Sequence, residues 1–129
     1  MKNAKKIRVT SILFILSSVL SVVLMLTLLN NEEWWPQIIA DAGTVLENVA
    51  LMYGICGLEL VAGIVGLLLA NKSSKVTVFF GIATLIEHVV ITVMMYTSGG
   101  NITTVIINAV FVLVPLFYLL GAIGNTKEA

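Results

Sequence analysis

The sequence has one cysteine, one histidine and two prolines among its 129 residues, and only 11% of them are charged. A single cysteine excludes an intramolecular disulfide framework. Seven basic residues balance seven acidic ones, which excludes the basic surface of a nucleic-acid-binding protein. The shortage of charge also excludes an ordinary water-soluble domain, because 59% of the residues are apolar and the mean hydropathy is +1.07.

Four long apolar segments make up most of the chain. A bilayer core about 30 Å thick needs roughly 20 apolar residues at a rise of about 1.5 Å each. The segments that meet this demand are Val9–Leu29, Val49–Ala70, Val76–Tyr96 and Ile102–Ile123. The sequence therefore predicts an all-α integral membrane four-helix bundle, in which residues 1–129 form a single transmembrane domain.

The basic residues predict the orientation of the chain. All of them fall on one side of the membrane once four spans are drawn: Lys2, Lys5, Lys6, Arg8, Lys72, Lys75 and Lys127. The segment between the first two spans carries only acidic charges: Glu32, Glu33, Asp41 and Glu47. Because cytoplasmic segments are enriched in lysine and arginine, we expect both termini to be cytoplasmic. The predicted location is a cell membrane, crossed several times, as in a bacterial inner-membrane protein.

A long segment connects the first two predicted spans. Apolar residues recur through it at helical spacing, and Pro36 suits the first position of a helix. We expect a short amphipathic helix on the outer leaflet, anchored at the lipid headgroups by Trp34 and Trp35. The alternative is that this stretch extends the second span outward and bends near Gly43.

Three ionisable residues lie inside the predicted spans. Glu59 and Glu87 are each eleven residues from the cytoplasmic end of their span, about 16 Å inward and therefore near the midplane. His88 follows Glu87, about 100° further round the third helix. An ionised group in the bilayer costs about 2.5–3.5 kcal/mol on insertion scales, so its presence points to a function.

The predicted spans contain no lysine or arginine, so His88 is the only internal countercharge for the two glutamates. Without it, desolvation favours the protonated carboxyl groups. We therefore predict a proton- or cation-binding site formed by Glu59, Glu87 and His88, with Asn108 of the fourth span nearby. One alternative is structural, in which protonated glutamates bond to Ser21, Asn108 or backbone carbonyls and hold the bundle together. Another is contact with a partner subunit.

A stripe of small residues shares the face of Glu59 on the second span, and it would let another helix approach closely. Its members are Cys56, Gly63, Gly66 and Ala70. We expect Cys56 to be a core thiol. No sequence pattern resembles a nucleophile triad, a HExxH zinc site or a phosphate-binding loop, so we predict no catalytic residue, metal site or cofactor.

These features favour a small transport component, or an ion- or proton-conducting one, that uses its midmembrane carboxylates and is not an enzyme. A homo-oligomer is expected, because one bundle of this size has little interior of its own. The alternative is a noncatalytic accessory subunit, or an immunity-type protein, that binds a larger membrane partner. A third hypothesis is an enzyme that handles lipids or quinones. The lipid bilayer is the common partner of all three, and no nucleic acid is expected.

Overall fold

The computed structural model describes residues 1–29, 36 and 49–128. Over these residues the chain forms helices joined by short turns, with no strand, and the all-α prediction is confirmed for them. The helices are α1 (Ala4–Leu29), α2 (Val49–Leu69), α3 (Lys75–Thr97), α4 (Ile102–Phe111) and α5 (Leu113–Glu128). The predicted amphipathic helix and its anchors Trp34 and Trp35 lie outside the described residues.

Four helical segments are long and apolar enough to cross a membrane, as predicted, with α4 and α5 together forming the last. Their ends differ from the sequence-based spans. The first helix begins at Ala4 rather than Val9, and the last ends at Glu128 rather than Ile123. Hydropathy detects only the apolar part of a helix, whereas lysine and glutamate are also good helix formers and extend it into polar surroundings.

The last segment is interrupted at Val112, three residues before Pro115. Proline has no backbone N–H, so the carbonyl of Phe111 lacks its usual helical donor. Nearby, the N–H of Val112 donates to the carbonyl of Ala109 at 3.2 Å, three residues earlier, which is the spacing of a 3₁₀ turn. The effect of Pro115 is therefore a break about one turn earlier, which divides α4 from α5.

Close packing holds α1, α2 and α5 together in the half of the bundle that contains the termini. A Cβ atom at Gly66 would lie 2.6 Å from Cε2 of Tyr118, and one at Gly63 would lie 2.8 Å from the backbone oxygen of Ser11. Only glycine allows these approaches. The buried apolar cluster here contains Ala4, Ile7, Phe14, Ala62, Ala70 and Tyr118.

Three buried side chains from α1 and α5 donate hydrogen bonds to backbone carbonyls of α2. The bonds run from Ser18 Oγ to Cys56 O (2.7 Å), from Tyr118 OH to Ala62 O (2.8 Å) and from Asn125 Nδ2 to Ala70 O (2.7 Å). A backbone carbonyl has two lone pairs and can therefore accept such a bond in addition to its helical one. The bond from Asn125 satisfies the carbonyl of Ala70, just past the end of α2, where helical donors run out. Polar contacts of this kind stabilise helix pairs where water is absent.

Both termini and the turn between α2 and α3 lie at the same end of the bundle. The backbone N–H of Lys2 donates to Oε2 of Glu128 at 3.2 Å, and the amino terminus donates to Oδ1 of Asn71 at 3.3 Å. The outward faces are apolar, as shown by Leu68 and Phe79, which are 72% and 63% exposed. Such a surface suits lipid rather than water.

Candidate functional site

The turn between α2 and α3 brings the three ionisable residues to one level. Ser74 caps α3 by accepting a hydrogen bond from the N–H of Val76 at 3.2 Å, so α3 runs antiparallel to α2 after a short connection. Glu59 lies ten residues before the end of α2, and Glu87 twelve residues after the start of α3. These distances correspond to about 15 Å and about 18 Å along the helices, so the side chains meet.

Glu59, Glu87 and His88 form one buried cluster, which we call the acid–histidine cluster. His88 Nε2 lies 3.1 Å from Oε1 of Glu59, and His88 Nδ1 lies 3.8 Å from Oε1 of Glu87. One ligand atom from each residue can be chosen so that all three lie within 4.8 Å of one another. The side chains of Glu59, Glu87 and His88 are 8%, 10% and 14% exposed.

A backbone contact fixes the proton on one nitrogen of the imidazole. His88 Nδ1 lies 2.9 Å from the carbonyl oxygen of Thr84, one helical turn earlier. A carbonyl only accepts hydrogen bonds, so Nδ1 carries a proton and donates it. Nε2 then either accepts a hydrogen bond from the neutral carboxyl group of Glu59 or, when it is protonated, donates one to the Glu59 carboxylate. Both states place one proton between Glu59 and His88, so this pair carries no net charge.

Glu87 is the unsatisfied member of the acid–histidine cluster. Its Oε2 is buried and has no hydrogen-bond partner in the part of the chain that the structure describes. Leaving a buried polar atom without a partner costs about 1–3 kcal/mol, and more when the group is charged. Oε2 is therefore an open position that a proton or a cation would satisfy.

A cavity of about 440 Å³ adjoins the acid–histidine cluster. Its wall runs away from the end that holds the termini, reaching Leu24 on α1, Met52 on α2 and Met95 on α3. Leu20 of α1 and Phe111 of α4 line it while remaining 59% and 57% exposed, and α1 and α4 make few contacts. Among the described residues, the cavity is therefore open sideways between these two helices, on the apolar outer face of the bundle.

The opposite side of the cluster is closed by aromatic rings. The ring of Phe14 packs against His88, with centroids 6.2 Å apart, and against Tyr118, with centroids 5.3 Å apart. Phe14 and Tyr118 are fully buried, and the Tyr118 hydroxyl is tied to Ala62, about one turn of α2 from Glu59 toward the termini. Access to the cluster is therefore one-sided.

Asn108, the fourth residue of the predicted site, lines the same cavity but takes a different partner. Its Oδ1 lies 2.8 Å from Oγ1 of Thr92, which is also 2.8 Å from the backbone oxygen of His88. A hydroxyl has one proton, so Thr92 donates to only one of these acceptors at a time. No hydrogen bond joins Asn108 directly to the cluster within the described ranges, so the structure places it on the cavity wall.

The small-residue stripe of α2 lies inside the bundle. Cys56, Gly63, Gly66 and Ala70 are all buried, the two glycines against α1 and Tyr118. Cys56 is a free thiol that also lines the cavity. The small residues of this stripe let α1 and α5 pack closely against α2. The face of α2 that carries Glu59 is therefore turned toward these two helices.

Sequence analysis did not identify Phe14, Thr84 or Tyr118 as parts of the site. Phe14 is one of many apolar residues in its helix, and nothing in the pattern marks it. Thr84 was detectable, because it lies one turn before His88 on the same face, where its carbonyl faces the imidazole. Tyr118 was detectable only as a polar group on an otherwise apolar helix.

The carboxyl and imidazole groups of the cluster are of the kinds that exchange protons, and their oxygen and nitrogen atoms are also ligands for cations. With two ionised carboxylates and a neutral imidazole, the cluster carries two negative charges, so two positive charges are needed to neutralise it. Comparisons with protein families, with curated proteins and with solved structures find no match for this chain.

Proposed function

We propose that this protein is a transport component, or an ion- or proton-conducting one, of a cell membrane, in which Glu59, Glu87 and His88 take up a proton or a cation. One observation carries the proposal. Within the described part of the chain, Oε2 of Glu87 is buried without a hydrogen-bond partner beside the Glu59–His88 pair, at the wall of a cavity. A carboxyl group that only held helices together would be bonded to a neighbour.

The structural alternative predicts a different arrangement of the glutamates. In that case each carboxyl group would be sealed onto a backbone carbonyl or a hydroxyl of another helix. Other residues perform this task, because Ser18, Tyr118 and Asn125 bond to carbonyls of α2. The glutamates instead face His88 and the cavity, which favours a binding role.

The positive-inside pattern places both termini in the cytoplasm, so the cavity opens away from the cytoplasm in our proposal. The aromatic contact of Phe14 with Tyr118 then separates the acid–histidine cluster from the cytoplasmic side. Complete transport requires either that these rings move or that a second copy of the chain completes the path. A homo-oligomer of multi-pass subunits without enzymatic activity fits this requirement.

Reconstitution into proteoliposomes tests the proposal. Glutamine at position 59 keeps the size of the side chain and still bonds to His88 Nε2, but it does not release a proton. Glu59→Gln should therefore fold and lose the pH-dependent flux of the wild-type protein. Glu128→Gln is the matched control, because Glu128 lies at the end of the bundle and contacts the N-terminal backbone. Flux by Glu59→Gln that equals wild-type flux refutes the proposal.

A role as an accessory or immunity-type protein is the second candidate, and one surface favours it. At Gly54 and Gly57 of α2, no atom of the described residues lies within 4 Å of an added Cβ, so with respect to them the backbone is open to another helix. Affinity purification from native membranes separates the two candidates. Stoichiometric recovery with one larger membrane protein supports an accessory role, and recovery of a homo-oligomer supports transport.

A further inference from the structure

We infer that the acid–histidine cluster binds a divalent transition-metal cation, which displaces two protons from Glu59, Glu87 and His88. This inference rests on the proposed function, since it names the cation that the site takes up. Its basis is geometric. Two carboxyl groups and one imidazole converge at a cavity wall. The side chain of Glu87 is nine-tenths buried, and its Oε2 has no hydrogen-bond partner among the residues that the structure describes.

His88 is oriented as a metal ligand. Imidazoles that bind metals usually donate the proton of their other nitrogen to a carbonyl or a carboxylate, which fixes the tautomer and the ring. His88 Nδ1 makes this bond to the carbonyl of Thr84. Nε2 is then the nitrogen that is free to bind a cation, and it points at Oε1 of Glu59.

The spacing of the ligand atoms suits a single ion. Neighbouring ligands of a metal bound at about 2.1 Å lie about 3.0–3.4 Å apart in octahedral or tetrahedral geometry. His88 Nε2 and Glu59 Oε1 are already 3.1 Å apart, and an atom of Glu87 lies within 4.8 Å of both residues. Binding of one ion by all three residues requires Glu87 to approach the other two ligands further. Three protein ligands leave further positions for water from the cavity.

Charge balance favours a dication over a monovalent ion. With two protons, one shared by Glu59 and His88 and one on Glu87, the cluster is neutral. When a dication replaces both protons, two carboxylates and a neutral imidazole again give zero net charge. A monovalent cation would be balanced only if Glu59 and His88 kept their shared proton, and that proton occupies the position at Nε2 that the ion would need. The exchange of one dication for two protons conserves charge and requires no other reactant.

The ligand types point to a particular class of ion. Imidazole suits Zn²⁺, Fe²⁺, Ni²⁺ and Cu²⁺, whereas Mg²⁺ and Ca²⁺ prefer sets made only of oxygen atoms. One nitrogen and two carboxylates therefore select a first-row transition metal such as Zn²⁺. Sequence analysis predicted no metal site, because the ligands come from two helices and lack a motif spacing, with Glu59 28 residues before Glu87.

Zn²⁺ binding to the purified full-length protein in detergent tests the inference. Equilibrium dialysis should find one Zn²⁺ per chain, and a pH indicator should record release of about two protons per ion bound. Co²⁺ offers a second readout, since its visible absorption reports coordination. Glu87→Gln and His88→Ala should each weaken Zn²⁺ binding at least about tenfold. Glu87→Gln is expected to fold, because the oxygen it alters has no hydrogen-bond partner among the described residues.

A control variant addresses the acidic residues of the segment between the first two spans, which are other potential ligands. The double substitution Glu32→Gln and Glu33→Gln should leave the stoichiometry and the affinity unchanged. Absence of stoichiometric Zn²⁺ and Co²⁺ binding by folded wild-type protein, or equal affinity in Glu87→Gln, overturns the metal assignment.

Failure of the metal assignment and failure of the proposed function are distinguishable. If Zn²⁺ does not bind but Glu59-dependent proton flux persists, the metal assignment is overturned and the cation is the proton alone. If Zn²⁺ binds through Glu87 and His88 but no flux depends on Glu59, the metal site is supported and the transport proposal is overturned. Each experiment therefore reports on its own claim.

Discussion

Replacement of Glu87 by glutamine should make the protein more stable at alkaline pH while abolishing its proposed activity. Glu87 is 10% exposed, and its Oε2 has no hydrogen-bond partner in the described part of the chain. A charged Glu87 has only one basic group in contact, His88 Nδ1 at 3.8 Å, and that nitrogen already donates to Thr84. Glutamine has nearly the same shape and never ionises, so it removes the cost of burying this charge.

The size of the effect follows from the cost of a charge inside a bilayer. Insertion scales give about 2.5–3.5 kcal/mol for an acidic residue at the centre of a span, which is the upper limit for Glu87. At about pH 4 the carboxyl group is mostly protonated in the unfolded chain as well as in the folded one, so the variant and the wild type differ little. At about pH 9 the unfolded wild-type chain ionises freely, whereas the folded chain does so only at this cost. The free energy of unfolding of the wild type therefore falls, relative to that of Glu87→Gln, as pH rises.

Reversible unfolding in mixed micelles at the two pH values measures the difference. Glu87→Gln should exceed the wild type by up to about 3 kcal/mol at about pH 9 and match it within about 0.5 kcal/mol at about pH 4. Glu128→Gln, at the end of the bundle, should show no such dependence on pH. A Glu87→Gln variant that is less stable than wild type at both pH values would mean that Glu87 is a structural hydrogen-bonding group, contrary to our reasoning.

Three further variants test helix packing, and unfolding in the same micelles measures all of them. Gly66→Ala should lose about 1–3 kcal/mol, because its Cβ would lie 2.6 Å from the Tyr118 ring. Gly57→Ala should be neutral or gain up to about 1 kcal/mol, because no atom of the described residues lies within 4 Å of the added Cβ and alanine favours a helix. Tyr118→Phe should lose about 0.6 kcal/mol with its bond to Ala62.

Each of these predictions has a contradicting result. Equal stability losses in Gly66→Ala and Gly57→Ala would mean that α2 does not turn the face of Gly66 toward α5. A Tyr118→Phe variant as stable as the wild type would remove the hydroxyl from the groups that hold α5 on α2. Neither result would bear on cation binding, so the packing and the site are tested separately.

The number and approximate position of the membrane-crossing helices follow from the sequence, because apolar runs of this length have few other uses. The ends of these helices do not follow from the sequence. Asn125 lies beyond the predicted last span and resembles part of a polar tail, yet it donates to the carbonyl of Ala70 inside the bundle. A hydropathy profile contains no information about a side chain that turns back toward a neighbouring helix.

The residues of the site were identifiable from their cost in a membrane, but their geometry was not. Glu59, Glu87 and His88 stand out as the ionisable residues within apolar segments. Their meeting depends on the rotation of α2 and α3 about their axes, which the packing of small residues against α1 and α5 determines. The close approach at Gly66 and the tautomer imposed by Thr84 are properties of the assembled bundle.

Infrared spectroscopy of the carboxyl groups tests the central claim most directly, namely that Glu59 and Glu87 exchange their protons with water through the cavity. A protonated carboxyl group has a C=O stretching band that a carboxylate lacks, and Glu59→Gln and Glu87→Gln identify its sources. We predict that wild-type protein in lipid shows this band at acidic pH and loses it reversibly as pH rises. A band that is absent from wild type at every pH, or that persists unchanged throughout, would contradict the account.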